Sequence, residues 1–323
     1  MSAGAGGVSL LDLEPATSDF LEQAIAGLST SPRTLPSKFF YDERGSDLFQ
    51  KICELPEYYV TRTETEILRR YGAEMADSIG ENAELVGFGT GAGVKTRMLL
   101  DHLKNLIAYV PVDISKQRLT DSAEALSREM PGLEILPVCA DYLQPLELPT
   151  PSRRPAHIAV YFPGSTIGNM QPEVARHFLQ RVARLCGKSG GLIIGVDLQK
   201  SREVLEAAYN DRAGVTAAFN LNMLERANRE LGADFDLSQW RHRAIYNQAA
   251  HRIEMHLISK QPQTVHLGGR EFHFAADEKI ITEFSYKHTI DGFSGLAASA
   301  GFQLARVWTD PEGLFGVFHF TTV

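Results

Sequence analysis

Four glycines at alternate positions, Gly87, Gly89, Gly91 and Gly93, break the stretch "ELVGFGTGAGVKTRMLL" between a short apolar run and a helically spaced one. A bare backbone between strand and helix lets a ligand reach peptide N–H groups, and the helix N-terminus favours negative charge there. Gly87, Gly89 and Ala92 satisfy the G-x-G-x-x-G/A spacing of dinucleotide enzymes. The same turn wraps the methionine half of S-adenosylmethionine in other enzymes. Asp113, ending the next apolar run, suits a ribose diol in either case, so the turn by itself leaves both ligand classes open, beside a tight turn that holds nothing. Ten histidines show neither HExxH nor any Cys/His ligand spacing, and no metal is expected.

These residues need a frame. From Leu85 to about Asp197, apolar strand-like runs alternate with helical patterns, the signature of βαβ units on a parallel sheet. "ELVGFG" reads as the first strand and "VKTRMLLDHL" as its helix. "LIAYVPVDI" follows, ending near Asp113, with Ser115 placed to cap the next helix. "LEILPVCAD" ends in Asp141, "HIAVYFPGSTIGN" near Asn169 and "GGLIIGVDL" near Asp197. Each strand thus delivers a polar residue to the carboxyl edge of the sheet, where open α/β sheets bind ligands.

Two segments stand outside this alternation. One is the aromatic-rich N-terminal region through about Arg62. The other, from about Ser201 to Lys287, opens with the helical "VTAAFNLNMLERANREL". It passes to strand-like "RIEMHLIS", a hairpin signal at Gly268-Gly269 and a further strand, "KIITEFSYKH". A helix around "DGFSGLAASAG" and the strands "FQLARVW" and "GVFHFTTV" close the chain. The two odd segments are expected to join as a lid beside the sheet.

The 323 residues are 44% apolar, enough for a sizeable core, and their net charge of −8 gives no basic footprint for nucleic acid. "MSAGAGGVSLLDLEP" lacks a basic, apolar leader, and no run is long enough to span a bilayer, so neither export nor membrane insertion is expected. Cys53, Cys139 and Cys186 form no CxxC pair, which fits a reducing cytoplasm. With no obvious exposed apolar stripe, a monomer is expected.

Over nearly its whole length the sequence resembles the S-adenosylmethionine-dependent L-histidine Nα-methyltransferases of ergothioneine biosynthesis. The stretches that carry the likeness are "SKFFYDERGSDLF", "LPEYYVTRTE", "GTGAGVKTRMLL", "GSTIGN", "AAYNDRAGVTAAFN", "NRELGADFDL", "RIEMHL", "TEFSYK" and "WTDPEGLFG". The resemblance implies an α/β fold with a class I methyltransferase (Rossmann-like) doubly wound sheet, mostly parallel with an antiparallel C-terminal strand, plus a small mixed α+β second domain. It places residues 63–200 and 288–323 in the cofactor domain, and 8–62 and 201–287 in the lid. On the cofactor side it implies Gly89 and Lys95 at the methionine end, Asp113 on the ribose, and Asp141 with Tyr142 on the adenine. For histidine it implies Asn169 and Tyr209 on the carboxylate, with Tyr58, Glu283 and Ser285 on the imidazole side. Met255, Phe49 and Tyr41 would form walls, and Tyr41 and Asn169 take the catalytic positions.

The implied product is N,N,N-trimethylhistidine, hercynine, reached through mono- and dimethyl forms by direct displacement without a metal. Tyr41 would hydrogen-bond the amine, and with Phe49 would face the growing cation. At Gly87 the chain departs from the family, which usually carries an acid there, and that puts cofactor binding in question. Taken without the likeness, Lys95 is a solvated helix residue, Asp113 and Asp141 are cap or turn residues, Glu283 is a surface residue and Met255 is core. Competing readings are an indole acceptor, a metabolite-binding protein whose cofactor site has decayed, and a nicotinamide reductase. Glu283 beside Met255 favours histidine over indole, which needs space and no acidic partner.

Overall fold

The computed structural model describes residues 10–13, 20–89 and 93–323. Gly91 and Ala92 of the glycine turn lie outside the described residues. Around that turn stands a nine-stranded sheet. From one edge its order is Leu11–Asp12, Val138–Cys139, Ala108–Asp113, Ala83–Phe88, His157–Phe162, Gly191–Asp197, Phe315–Thr322 and Phe302–Thr309, with Glu134–Ile135 paired beside Ala108–Asp113. Pairing is parallel up to Gly191–Asp197, and Phe315–Thr322 then runs antiparallel to both its neighbours. The strand order reverses between Ala83–Phe88 and its two neighbours, which opens a crevice at the carboxyl edge. This is the expected doubly wound sheet with its antiparallel C-terminal strand.

Successive side chains on these strands enter two separate cores, because the pleat points neighbours to opposite faces. Leu85, Tyr109, Ala159, Tyr161 and Ile193 join one core, together with the helix Tyr59–Ile79. Val86, Val110, Val160, Phe162, Leu192 and Ile194 join the other, against the helices Pro172–Cys186 and Ile290–Ala298. Burial on both faces explains why these strands read as continuous apolar runs.

A four-stranded sheet, Arg33–Thr34, Lys279–Tyr286, Arg252–Ser259 and Trp240–Asn247, stands beside the large one. Gly268 and Gly269 turn the separate hairpin Gln263–Leu267/Arg270–Phe274, as expected. Three expectations need correction. Leu11–Asp12, placed in the lid, instead adds an edge strand to the large sheet. The helix Tyr59–Ile79 runs straight through the expected boundary at 62/63, since its apolar stripe continues on both sides of it. Ser115 occupies the cap position of the helix Lys116–Glu129 without a side-chain bond; its backbone N–H donates to Asp113 Oδ1 at 2.9 Å instead.

Phe293, fully buried, meets His288, Phe318 and Phe320 at ring distances of 5.1, 5.3 and 5.9 Å. Phe293→Ala should therefore lower unfolding free energy by about 3–5 kcal/mol. Urea titration checks this, and an unmoved midpoint would contradict the ring cluster.

Candidate active site

Local sequence first fixes the aromatic wall. Tyr41 lies between the 3-10 turn Ser37–Phe40 and the helix Glu43–Glu54, which Asp42 caps by accepting from Gly45 N at 2.7 Å. Asn222, on the helix Val215–Leu231, donates to the same Asp42 oxygen at 2.8 Å, and Arg229 donates to the other at 2.5 Å. The first odd segment is thereby tied to the second, and its ring faces are set. Tyr41 and Phe49 meet edge to face at 5.6 Å, Phe49 and Tyr58 at 6.4 Å, and Tyr58 and Tyr209 at 6.2 Å. Phe219, which sequence reasoning passed over inside "AGVTAAFN", closes the row at 5.9 Å from Tyr41 and 6.0 Å from Phe49. Tyr41 itself is 40% exposed.

The polar wall comes from one strand of the small sheet. Glu283, Ser285 and Lys287 follow at intervals of two and so share a face. Met255 pairs with Glu283 and Ile253 with Ser285 across the neighbouring strand, next to a bulge between Met255 and His256. Tyr209 ends the helix Arg202–Tyr209, where its carbonyl contacts His242 Nε2 at 2.8 Å. Its hydroxyl donates to Ser285 Oγ at 2.9 Å.

Asn169 reaches the same place by a close backbone approach. A Cβ on Gly168 would stand 2.9 Å from the Tyr286 carbonyl oxygen, so only glycine lets the turn Thr166–Asn169 lie against the strand Lys279–Tyr286. Asn169 is half-buried, and its carboxamide has no hydrogen-bond partner among the described residues. Ring contacts thus run from Tyr41 through Phe49 and Tyr58 to Tyr209, whose hydroxyl meets Ser285 on the strand that carries Glu283, and the turn ending at Asn169 lies against that strand. Glu283 is half-buried there, and desolvation pushes its carboxyl up to about 7, with Lys287 acting in the opposite direction. Its charge acts on Tyr41, Tyr58 and Tyr209.

The second half of the site lies at the glycine turn. Gly89 has φ +57°, and a Cβ there would stand 3.7 Å from the Tyr142 ring. Tyr142 stacks into a cluster with Phe88, Phe162 and Phe178 at 5.7, 5.5 and 5.9 Å. Asp113 and Asp141 each accept a turn N–H two residues on, at 2.9 and 2.8 Å, so part of each carboxylate serves the loop as the plainer reading expects. Burial raises the Asp113 carboxyl above its ordinary range, which an incoming hydrogen-bond donor would reverse.

Lys95 is no solvated lysine: it forms an ion pair with the buried Glu64. Both Glu64 oxygens accept from Gly164 N, at 3.0 and 2.9 Å. Gly195 makes room for that carboxylate, since a Cβ there would sit 2.2 Å from Glu64 Oε1. A buried acid therefore stands at the carboxyl edge despite Gly87, delivered by the helix Tyr59–Ile79 rather than by the first strand. Asp197, the fourth polar strand end, is completely buried and held by Tyr59, Lys200 and Lys287, so it is closed to any ligand. Sequence reasoning missed Glu64 and Lys287 and read Tyr59 as an interface aromatic; the one available signal was their place inside "YYVTRTE" and "TEFSYK". Among the described residues no three His, Cys, Asp or Glu side chains cluster as metal ligands, and no helix is long and apolar enough to cross a membrane.

A family model described as histidine-specific methyltransferase, SAM-dependent, matches residues 20–322. The chain is 43% identical over 298 residues to the histidine N-alpha-methyltransferase of Mycolicibacterium smegmatis, covering 90% of this chain and 91% of that protein. It is 42% identical to the enzyme of the same name from Mycobacterium tuberculosis, with the same coverage. Ergothioneine biosynthesis protein 1 of Neurospora crassa is 29% identical across 86% of this chain, which spans 32% of that longer protein.

An unfolded Glu283 ionises near 4.5 whereas the folded one ionises near 7, so between these values the unfolded state holds fewer protons and stability falls as pH rises. At pH 8 Glu283→Gln should stabilise the ligand-free protein by roughly 1–2 kcal/mol. The gain should vanish below about pH 4.5; denaturant titration at both pH values reads it, and a gain independent of pH would contradict the burial of this carboxyl.

Proposed function

The chain belongs to the histidine-specific, S-adenosylmethionine-dependent methyltransferase family, and from that premise we propose how this pocket performs the reaction. The activity is transfer of three methyl groups to the α-amino nitrogen of L-histidine, giving N,N,N-trimethylhistidine (hercynine), the first step of ergothioneine biosynthesis. When bound, S-adenosylmethionine supplies an electrophilic methyl carbon on a sulfonium. The bare turn at Gly89, the Lys95–Glu64 pair and the acids Asp113 and Asp141 fit such a molecule: a cation and an anion for its amino-acid end, carboxylates for its ribose hydroxyls and adenine amine. In this reading Gly89 and Lys95 take the methionine end, Asp113 the ribose, and Asp141 with Tyr142 the adenine.

The substrate assignment is carried by one observation, the Tyr209–Ser285 hydrogen bond on the face that also presents Glu283. Hydroxyls and a carboxylate on one wall match the polar ring atoms of imidazole and a substrate carboxylate, while Met255 and Tyr58 cover the flat ring. Asn169, with its unused carboxamide, and Tyr209 hold the carboxylate; Glu283 and Ser285 read the ring nitrogens. An apolar analogue would leave these groups unpaired, which is how such a site rejects it.

At neutral pH the free α-amine is mostly protonated, and the pocket's apolar surroundings favour its neutral, nucleophilic form. Tyr41 accepts or donates at that nitrogen during the early rounds. As methyls accumulate the amine loses its N–H donors, and the faces of Tyr41 and Phe49, backed by Phe219, receive the quaternary ammonium without needing one. Alignment at near-attack distance and exclusion of water supply the rate. Residues 201–287 and the helices before residue 63 act in this reading as the substrate lid. The mono- and dimethyl forms are the intermediate substrates, and the protein works as a cytoplasmic monomer that engages no nucleic acid.

Purified protein given S-adenosylmethionine and histidine should yield species heavier by one, two and three methyl groups by mass spectrometry. Absence of all three, with histidine and with its methylated forms, ends the proposal. Glu283→Ala should raise KM for histidine about tenfold or more, the cost of a lost charge-assisted hydrogen bond, and change KM for S-adenosylmethionine by less than about twofold. Equal losses for both ligands would remove Glu283 from the ring-reading role.

A further inference from the structure

Behind the amino-acid pocket lies a buried ionic cluster that the reaction as described does not use. Lys287 is 2% exposed, and its ammonium donates to Ser285 Oγ at 2.8 Å and Tyr209 Oη at 3.2 Å while pairing with Asp197 Oδ2 at 2.7 Å. Asp197 also accepts from Tyr59 Oη at 2.8 Å and from Lys200 Nζ at 2.5 Å, and its backbone N–H donates to Ser165 Oγ at 2.9 Å. Within hydrogen-bond reach, two ammonium groups therefore share one carboxylate. Asp310, the other acid acting on Lys200, is committed to the backbone N–H groups of Glu312 and Phe315 at 3.0 and 2.8 Å.

A buried ammonium with only a shared counter-ion is costly unless a further anion completes it. On the small-sheet side Lys287 meets the Tyr209 and Ser285 hydroxyls, and Glu283 follows two positions beyond Ser285 on the same face. We propose that Lys287 is a positioning residue for the amino-acid substrate: tethered by Asp197, it fixes the Tyr209 and Ser285 hydroxyls and supplies the positive charge met by the substrate carboxylate. The proposal rests on the histidine reading given above.

Three features support it. Lys287 donates to both hydroxyl oxygens and so fixes their positions, while the Tyr209 proton, given to Ser285 in the ligand-free protein, turns to the substrate carboxylate when that arrives. Asp197 outweighs burial and keeps Lys287 charged, so the cation persists across the working pH range. The tether joins the elements that build the site, because Ser165 opens the turn carrying Asn169, Tyr59 follows Tyr58, and Ser285 and Lys287 belong to the small sheet. The charged and titratable groups facing Lys287 are Asp197, Lys200, Tyr209, Tyr246, Glu283 and His288.

The test compares histidine with histidinamide, whose neutral amide removes the carboxylate charge, in wild-type enzyme, Lys287→Met and Lys287→Arg. Wild type should prefer histidine by tenfold or more in kcat/KM. Lys287→Met should lose most of that preference through KM for histidine while KM for S-adenosylmethionine and Kd for S-adenosylhomocysteine stay within about twofold, and Lys287→Arg should restore part of it. The acid limb of its kcat/KM profile should also move to higher pH, since Glu283 loses a neighbouring cation. Should Lys287→Met not fold, Asp197→Asn, which loosens the tether and keeps the ammonium, should show a smaller loss of the same preference. A wild-type preference retained in the folded variant, or equal loss for amino acid and cofactor, overturns the role of Lys287. A wild-type protein that methylates no histidine overturns the activity itself.

Discussion

One buried carboxylate, Asp197, holds the two halves of this protein in a single arrangement. It ends the Gly191–Asp197 strand of the large sheet, yet its side-chain partners come from the Tyr59–Ile79 helix, from the loop after its own strand and from the end of the small sheet's Lys279–Tyr286 strand. Its backbone carries the junction further: His288 N donates to the Asp197 carbonyl, and Leu198 bridges to His288. An uncompensated charge in such a place is strongly destabilising, whereas a fully partnered one specifies a geometry. Each partner is thereby pinned, and so is the pocket built on them.

Absent side chains matter as much as present ones. Gly168 permits the turn bearing Asn169 to touch the backbone of the small sheet, and Gly195 clears space for the Glu64 carboxylate beneath Lys95. Both are contacts between backbone or buried polar groups of separate elements, where even one carbon would force the layers apart. The junction of the two sheets is therefore fixed by charge pairing at Asp197 and by bare backbone at Gly168.

The electrostatic design follows from these constraints. Near the glycine turn, Lys95 and Glu64 place one charge of each sign side by side. Along the small-sheet strand, Lys287 donates to the Ser285 and Tyr209 hydroxyls, and Glu283 stands two residues before Ser285 on the same face. The rings of Tyr41, Phe49, Tyr58 and Tyr209 form a continuous row beside that face, and the Glu283 charge acts on three of them.

The sequence by itself determined the elements. Alternating apolar runs specified strands buried on both faces, the glycine-broken turn specified a bend between strand and helix, and Asp113, Asp141 and Asp197 marked polar strand ends, whereas Asn169 stands on the 3-10 turn Thr166–Asn169 beyond the strand His157–Phe162. Residue likeness named the candidate pocket residues, and the fold joins Tyr209 to Ser285 on the strand that carries Glu283 and lays the turn ending at Asn169 against that strand. Those signals are local, with periods of two or of about 3.6 residues that any window of the chain displays. Only the tertiary structure decided that Asp197 is sealed by two lysines, that the acid near the turn is Glu64, that Leu11–Asp12 joins the large sheet, and that Phe219 completes the aromatic row. Apart from the Asp197–Lys200 pair, three positions apart, these depend on contacts between residues tens to hundreds of positions apart, and neither spacing nor composition encodes which distant charge or ring will arrive beside another.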